Sequence, residues 1–446
     1  MKKSRFRFCI AAVLNPKNDR KCEFFPRGML VIREGSPATI HEVISYAVGR
    51  VKYQREITST NLIDFGSAVI LPGFFDMHFH WVQDDVREMP KASLLKWLEN
   101  YTFPAESKFK SARYSKQKAT VFFKRLSSVG TLGGGCYSSI HWCALEAALK
   151  NVKGDFVVGN VLMDMNAPKE LLQTEGEALA ITRRAISKFG RRVAFTPRFA
   201  ITTTPKVMTA GGLLADQAGC FKQSHLSETP QEIEFVLGLF RKLKGFEKVR
   251  SYTDIYHKTN MLGPRSLMAH GIHLTHPELK TLQQTKTAIV HCPTSNAPVK
   301  ERGIGSGLFD FKRIERAKIR WALGSDIGGG PFLSMLDVMR SFVDQNKSAG
   351  ISGATGVKAL YRATLAGAEI LQVSARTGNL DAGKEANFIV LPLEKNIRIK
   401  TAESLLQAIL KRDSKKRSRY DDRVSYVSFQ GKTLFDRLST KSVTSK

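Results

Sequence analysis

Short apolar, β-rich runs alternate with helical stretches along most of this chain of 446 residues. The helical stretches, such as "KQKATVFFKRLSSVG" and "EALAITRRAISKFG", repeat apolar residues every three or four positions, as a helix that covers a sheet does. Buried strands that alternate with helices form parallel sheets, and eight repeats favour a closed (β/α)8 barrel of the TIM type. The eight predicted strands are "AVILPGFFDMHFH", "TLGGGC", "DFVVGNVLM", "RVAFTPRF", "CFKQSHLSE", "SLMAHGIHL", "AIVHCPTS" and "IRWALGSD".

The two ends of the chain have a different pattern. The N-terminal part reads as short strands and turns, and strands return in "EANFIVLPL" and "VSYVSFQGKTLFD". We therefore predict a small β-sandwich-like domain from residues 1–68 and 381–446, beside a barrel over residues 69–380. The basic, apolar start contains Arg5 and Arg7 and lacks a small-x-small cleavage site, which favours a first strand over a signal peptide. No apolar run approaches the roughly 20 residues that span a bilayer, so no membrane partner is expected.

Composition adds two constraints. Lysine and arginine number 69 against 40 acidic residues, a formal net charge of +29, which invites a nucleic-acid or anionic-surface interpretation. The charge is spread over the chain with one dense patch, "LKRDSKKRSR", and we favour a well-solvated basic surface, with no nucleic-acid partner expected. The six cysteines show no paired spacing, which favours a reducing cytoplasm.

Two histidines one residue apart, His78 and His80, end the first predicted barrel strand in "LPGFFDMHFHW". Side chains alternate along a strand, so these two share one face while Phe79 turns to the other. At the C-terminal end of a barrel strand that face looks into the barrel mouth. Two neutral imidazoles there could hold one divalent metal ion, although a lone His-x-His pair is a weak signal.

Four further strand ends carry candidate ligands or acids, in "SHLSE", "AHGIH", "VHCPTS" and "GSD". Barrel enzymes keep their chemistry at these ends, whereas core histidines occur singly, so a chance coincidence of four such ends is improbable. An N3O ligand set with an open position for water suits zinc, and iron(II) nearly as well, at one ion per subunit. The predicted metal ligands are His78, His80, His225 and Asp326.

The same strand ends offer acid and base groups. A bound metal lowers the pKa of water from about 15.7 to about 7, so hydroxide exists at neutral pH. We expect Asp326 to act as a base, His270 to direct the hydroxide, and Glu228 to shuttle a proton to the substrate and the leaving group. His273 and His276 read as loop or surface residues, and His291 as either core packing or support for the metal site.

The motifs "PGFFDMHFH", "HLSE", "MAHGIHL", "HCPTSN" and "LGSDIGGG" resemble the metal-site motifs of the amidohydrolase superfamily. Within it, "HFHWVQ" together with "LLKWLENYTFPAE" is similar to the guanine deaminases, and "YTFPAE" is the most discriminating piece. The resemblance runs over nearly the whole chain. It implies hydrolytic deamination of guanine to xanthine and ammonia by a metal-activated hydroxide, as in purine catabolism, and a homodimer.

The resemblance also places residues that bind the purine. It implies a substrate-contacting glutamine at Gln83, an arginine–phenylalanine pair at Arg198 and Phe199, and the proton-shuttling glutamate at Glu228. Arginine and glutamine supply donors to the acceptor atoms of guanine, and phenylalanine offers a face on which the ring could stack. Two alternatives stay open: an enzyme of the same superfamily that acts on another purine, pterin, pyrimidine or triazine ring, and a non-catalytic nucleic-acid-binding or scaffold protein on this fold.

Overall fold

The computed structural model describes residues 5–394, 399–411 and 420–437. Most of the basic patch "LKRDSKKRSR" lies outside the described residues. The strands are β1 (Phe6–Pro16), β2 (Cys22–Arg33), β3 (Thr39–Ser45), β4 (Leu62–Pro72), β5 (Phe74–His80), β6 (Thr131–Tyr137), β7 (Asp155–Leu162), β8 (Val193–Pro197), β9 (Phe221–Leu226), β10 (Ser266–His270), β11 (Ala288–His291), β12 (Trp321–Leu323), β13 (Phe388–Pro392), β14 (Tyr426–Phe429) and β15 (Lys432–Asp436). The α-helices are α1 (Tyr46–Lys52), α2 (Leu94–Trp97), α3 (Phe103–Ser107), α4 (Ala112–Ser128), α5 (Trp142–Asn151), α6 (Glu175–Phe189), α7 (Pro205–Ala218), α8 (Pro230–Phe240), α9 (Tyr252–Lys258), α10 (His276–Gln284), α11 (Pro293–Asn296), α12 (Phe311–Arg316), α13 (Met335–Ser348), α14 (Gly356–Arg362), α15 (Leu365–Ile370) and α16 (Ala402–Leu410).

The chain divides into two compact units. The first comprises residues 1–75, 125–133 and 333–446, and it contains a seven-stranded sheet in the order β15-β14-β13-β4-β1-β2-β3. Strand β13 pairs antiparallel with β4, so strands from both ends of the chain share this sheet. Its core is formed by alternating apolar side chains, among them Val13, Leu30 and Phe388. The prediction of a separate sheet from both chain ends is confirmed, and the boundaries at residues 68 and 381 stay a prediction.

The second unit comprises residues 76–124 and 134–332 and contains most of an eight-stranded parallel sheet, β5 to β12 in chain order. The segment after β12 returns to β5, because Asp326 N donates to His78 O at 2.7 Å and His80 N donates to Ile327 O. The sheet is therefore a nearly closed barrel. Every predicted barrel strand is present, which confirms the predicted fold class.

One predicted strand, "AVILPGFFDMHFH", is two strands in the structure. Strand β4 ends at Pro72 in the seven-stranded sheet, and β5 begins at Phe74 in the barrel. Gly73 lies at the break, where a Cβ atom would stand 2.6 Å from the side chain of Leu132. Both strands are apolar and buried, so hydropathy alone does not locate the point at which the chain leaves one sheet for the other.

Helix caps fix the loops that follow the barrel strands. Thr229 and Glu232 form a capping box at the start of α8, and Thr275 and Glu278 form another at the start of α10. Each box satisfies free backbone N–H groups at a helix start, so each helix begins a few residues after its strand ends. Glu228, which directly precedes the first of these caps, is thereby held at the end of β9. Among the described helices, none has the length and apolar character to cross a bilayer.

Candidate active site

The predicted site residues meet at the C-terminal ends of the barrel strands. His78 and His80 lie on β5 with their side chains on the inner face, whereas Phe79 packs on Phe122 with ring centroids 6.0 Å apart. His225 lies near the end of β9 and His270 ends β10. All of these side chains are buried or nearly so. The alternation of side chains along β5 therefore brings the two histidines to one place, as the sequence predicts.

A compact histidine–aspartate cluster is centred on Asp326. One ligand atom each from His78, His225, His270 and Asp326 lies within 4.8 Å of the others. His78 Nε2 is 3.2 Å and His80 Nε2 is 3.7 Å from Asp326 Oδ1. His80 Nε2 also lies 3.1 Å from His225 Nε2. The structure thus brings all four predicted ligands together, and His270 lies beside them.

The imidazoles of this cluster are uncharged. Burial lowers the pKa of His78, His225 and His270 to about 3 and that of His80 well below its usual value, so these imidazoles are neutral at pH 7. Among the described residues, His78 Nε2 is fully buried and makes no well-aligned hydrogen bond, although Asp326 Oδ1 lies 3.2 Å away. Buried polar atoms are normally paired, and three imidazoles with one carboxylate form a donor set that a divalent metal binds. The residues present therefore fit such an ion.

The rim of the cluster has an unusual backbone. Ser227, His270 and Asp326 have φ values of 50°, 72° and 51°, in the left-handed region that side chains other than glycine rarely adopt. Such conformations cost free energy and concentrate at functional sites. The neighbouring backbone holds one ligand as well: His225 Nδ1 donates to Arg198 O at 2.6 Å, which leaves the lone pair of His225 on Nε2, facing the cluster.

Glu228 lies against the cluster as a buried carboxyl group. Its Oε1 accepts hydrogen bonds from Ser306 Oγ at 3.1 Å and Asn296 Nδ2 at 3.4 Å. Burial, and after it the charge of Asp326, raise the pKa of Glu228 well above its usual value. This shift favours the protonated form of Glu228, which can donate a proton.

The tautomer of His270 follows from its contact with Asn296. Asn296 Nδ2 donates to His270 Nδ1 at 3.1 Å, so the proton of the neutral imidazole sits on Nε2. His270 Nε2 is 3.5 Å from Glu228 Oε2 and 3.9 Å from Asp326 Oδ2. In this tautomer His270 is a hydrogen-bond donor to the space beside the cluster, and the lone pair that could bind a metal is on the far nitrogen.

A cavity opens next to the cluster. Its lining includes the predicted purine-binding residues Gln83, Arg198 and Phe199 together with Glu228. The Phe199 ring lies with its centroid 6.2 Å from that of His225. The rest of the lining is His80, Leu94, Trp97, Leu98, His225, Glu232, Ile304, Asp326 and Gly329. One cavity is therefore bordered by hydrogen-bond donors, an aromatic ring, the carboxyl group of Glu228 and the histidine–aspartate cluster.

Two buried acids that the sequence interpretation did not single out support these groups. Glu106, the last residue of "YTFPAE", accepts hydrogen bonds from both Gln83 and Arg198. Asp76 accepts from Ser325 N at 2.8 Å and from the Ser325 hydroxyl, and thereby fastens the segment before Asp326 to β5. Each could have been noticed in the sequence, because it is the one acidic residue of its motif, "YTFPAE" or "PGFFDMHFH". The pairing of each acid with its partner could not be predicted from the sequence.

The remaining predicted histidines lie outside the cluster. His291 is buried at the end of β11 and stacks on Phe309 with ring centroids 4.3 Å apart. His273 is partly buried and contacts the backbone of Ser306 at 2.8 Å, and His276 is exposed at the start of α10.

A parallel barrel with a histidine–aspartate cluster and a proton-donating carboxyl group at its C-terminal mouth is the architecture of a metal-dependent hydrolase. The amidohydrolase family matches residues 69–432, and the chain belongs to this family. The proteins that it resembles within the family are guanine deaminases. It is 31% identical over 377 residues to the guanine deaminase of Escherichia coli, with 82% of each chain covered.

Two further comparisons agree with this. The guanine deaminase of Dictyostelium discoideum is 34% identical over 352 residues, which cover 75% of this chain and 76% of the relative. The crystal structure of guanine deaminase from C. acetobutylicum, with bound guanine in the active site, aligns with a TM-score of 0.81 at 26% identity. That alignment covers 96% of this chain and 100% of the other. The resemblance predicted from the sequence is confirmed.

Proposed function

We propose that this protein catalyses the hydrolytic deamination of guanine to xanthine and ammonia. The observation that carries the proposal is one cavity bordered by the histidine–aspartate cluster, by the buried carboxyl group of Glu228 and by the donors Gln83 and Arg198. The names of the relatives support the same reaction, since the proteins of E. coli and D. discoideum are guanine deaminases.

The proposed metal ligands are His78, His80, His225 and Asp326. The tautomer of His270 supports this choice, because its Nε2 carries a proton and cannot ligate. We propose zinc, with iron(II) as the alternative, and one ion per subunit, because a site of three imidazoles and one carboxylate suits both metals. When bound, such an ion lowers the pKa of a water molecule so that it can attack at neutral pH.

The residues around the cluster would handle the protons. Asp326 accepts a proton from the attacking water, and His270 Nε2–H donates a hydrogen bond to the water oxygen. Glu228 donates its proton to N3 of guanine as the oxygen adds at C2, then takes up the proton held by Asp326 and passes it to the departing amino group. The hydroxyl proton at C2 returns to Glu228 as the C2 carbonyl forms. Collapse of the tetrahedral centre breaks the C2–N bond and releases ammonia, so that one guanine and one water yield one xanthine and one ammonia.

The ring would be held by the opposite wall of the cavity. Guanine presents acceptor atoms on its edge and a flat π face. Gln83 and Arg198 donate to the acceptor atoms, and Phe199 offers its ring to the face. Such contacts place C2 near the histidine–aspartate cluster. A substrate that is already oriented loses less translational and rotational entropy in the transition state, so the activation free energy is lower.

The test is an assay of purified protein of known metal content. Guanine should be converted to xanthine, followed by absorbance, and adenine, a pterin, cytosine and a triazine should be turned over far more slowly. Turnover of one of these rings, with none of guanine, would remove the assignment in favour of another ring hydrolase.

We further propose a cytoplasmic location and a homodimer. All six cysteines lie in the described part of the chain and none is in a disulfide, which is typical of a reducing compartment. The dimer rests on the family resemblance alone, and light scattering on the purified protein tests it directly. The domain limits 1–68 with 381–446, and 69–380, are testable by limited proteolysis.

A further inference from the structure

Glu106 is a fully buried carboxylate on α3. Its Oε1 accepts hydrogen bonds from Gln83 Nε2 and from Arg198 NH1, each at 2.8 Å, and its Oε2 accepts from Arg198 NH1 at 2.9 Å. Gln83 and Arg198 line the cavity, whereas Glu106 is not among the lining residues. It therefore contacts both donors from behind.

We propose that Glu106 is a positioning residue that makes the cavity selective for a neutral ring with acceptor atoms on its edge. It does so by fixing the two donors and by cancelling the charge of Arg198. This inference rests on the proposed function, because guanine is such a ring and its product xanthine is a stronger acid that more readily becomes an anion.

The fixing of Gln83 follows from its hydrogen bonds. Its Nε2 donates to Glu106, while its Oε1 accepts from Gly328 N at 3.3 Å. Rotation of the amide by 180° would place oxygen against the carboxylate and nitrogen against a backbone N–H, so the observed orientation is the favourable one. One N–H of the amide is left for a ligand.

The fixing of Arg198 follows in the same way. Its guanidinium lies over the Phe103 ring, 5.2 Å from the centroid, while NH1 is held by both oxygens of Glu106. Guanidinium has five N–H donors in one plane, so binding at NH1 and stacking on a ring fix the direction of the others. Two donors are thus presented to the cavity in a set orientation before any ligand binds.

The charge argument concerns what a ligand meets in the cavity. Arg198 and Glu106 are buried together and their charges cancel. Without the carboxylate, a buried guanidinium would stand unpaired at the wall, and it would favour an anion as its partner. The affinity of the cavity for neutral guanine would fall, and its affinity for the xanthine anion would rise.

Glu106→Gln tests both parts of the proposal. We expect kcat/KM for guanine to fall at least roughly 30-fold, mainly through KM, because one member of a buried charge pair is removed. The loss should be smaller for 2-aminopurine, which lacks the O6 acceptor. Inhibition by xanthine should strengthen relative to the parent protein, and increasingly so as pH rises and xanthine ionises. A role confined to folding would change neither the ratio between the two substrates nor the pH dependence of inhibition.

Two further variants keep the test decisive. Glu278→Gln changes another buried carboxylate, bonded to Thr253 and Thr275 and absent from the cavity lining, and should leave all three readouts unchanged. If Glu106→Gln does not fold, the double variant Glu106→Gln/Arg198→Met removes both charges, and it should fold and bind xanthine with no dependence on xanthine ionisation.

The proposal is overturned if Glu106→Gln keeps kcat/KM for guanine within threefold of the parent protein. It is also overturned if kcat/KM falls by the same factor for guanine and for 2-aminopurine while inhibition by xanthine stays unchanged. A double variant that still binds ionised xanthine more tightly than neutral xanthine would overturn it as well. The affinities of the metal-loaded parent protein and of Glu106→Gln for neutral and ionised xanthine can be measured by calorimetry. This measurement tests the role of Glu106 independently of guanine deamination. If the parent does not turn over guanine, the proposed function fails, and the charge preference is still measured.

Discussion

Asn296 Nδ2 lies 3.1 Å from His270 Nδ1, and this contact decides which nitrogen of His270 faces the cluster with a proton. The same amide group lies 3.4 Å from Glu228 Oε1. One side chain on the short helix α11 therefore sets the protonation of one neighbour and supports the carboxyl group of another.

Replacing Asn296 by alanine should lower kcat about 10- to 100-fold, the usual cost of losing a residue that orients a group beside a metal site. The reason is that His270 becomes free to adopt the other tautomer, with a lone pair in place of the donor. Metal content should stay at the parent level, as measured by elemental analysis. Asn151→Ala, at the end of α5, is the control, and a normal kcat in Asn296→Ala would mean that the tautomer has no role.

Removal of the metal should abolish turnover of guanine, because the residues of the chain alone cannot generate hydroxide at neutral pH. Dialysis against a chelator followed by addition of zinc or iron(II) tests this and ranks the two metals. His78→Ala should lower the bound metal measured by elemental analysis, whereas His276→Ala, which changes an exposed histidine on α10, should retain it. Full turnover of guanine by the metal-free protein would contradict the proposed metal site.

Glu228→Gln should lower kcat by about 10²- to 10⁴-fold while guanine still binds, because the variant has no proton to donate. The pKa of Glu228 is raised, so its protonated, active form persists to higher pH than that of an ordinary glutamate and is lost as pH rises through the raised pKa. The alkaline limb of the pH–kcat profile should therefore change in this variant. Glu234→Gln, an exposed change on α8, should keep the profile of the parent.

His291 should make the metal-free protein sensitive to acid. Burial lowers its pKa from 6.5 to about 3, so below pH 6.5 the unfolded chain binds a proton that the folded chain does not. Stability is then lost as pH falls from about 6.5 to about 3, with a slope near 1.4 kcal/mol per pH unit for this one group. Urea unfolding between pH 4 and pH 7 should show that the free energy of unfolding changes with pH less steeply in His291→Asn than in the parent protein, by about this amount.

Ser325→Ala should lower the free energy of unfolding by about 1–3 kcal/mol, because the buried carboxyl group of Asp76 loses a hydrogen-bond donor. Activity should fall as well, since Asp326 is the next residue. Ser325→Thr keeps a hydroxyl group at the same position and should retain more of both properties. Equal losses in the two variants would show that space, and not the hydroxyl, matters at this position.

The barrel and the ligand cluster could be predicted from the sequence because both depend on local patterns. His78 and His80 are related by the two-residue period of one strand, and His225, His270 and Asp326 all lie at strand ends that a parallel barrel must bring together. Such a prediction needs only the strands and their direction.

The supporting contacts could not be predicted because they depend on side-chain geometry between distant parts of the chain. Glu106 is defined by its bonds to Gln83 and Arg198, the second of which is 92 residues away. The tautomer of His270 depends on Asn296, in a helix that follows the next strand. Hydropathy likewise does not reveal that Gly73 separates two sheets, because the residues on both sides of it are buried.

The stretch between β5 and α4, residues 81–111, supplies Gln83, Glu106 and the cavity residues Leu94 and Trp97, but no member of the histidine–aspartate cluster. The residues that select the ring and the residues that act on the C2–N bond therefore lie in largely separate parts of the chain. Mutation or deliberate redesign of this one stretch, with Arg198 adjusted to match, offers a route to a new preferred ring while the reactive centre is unchanged.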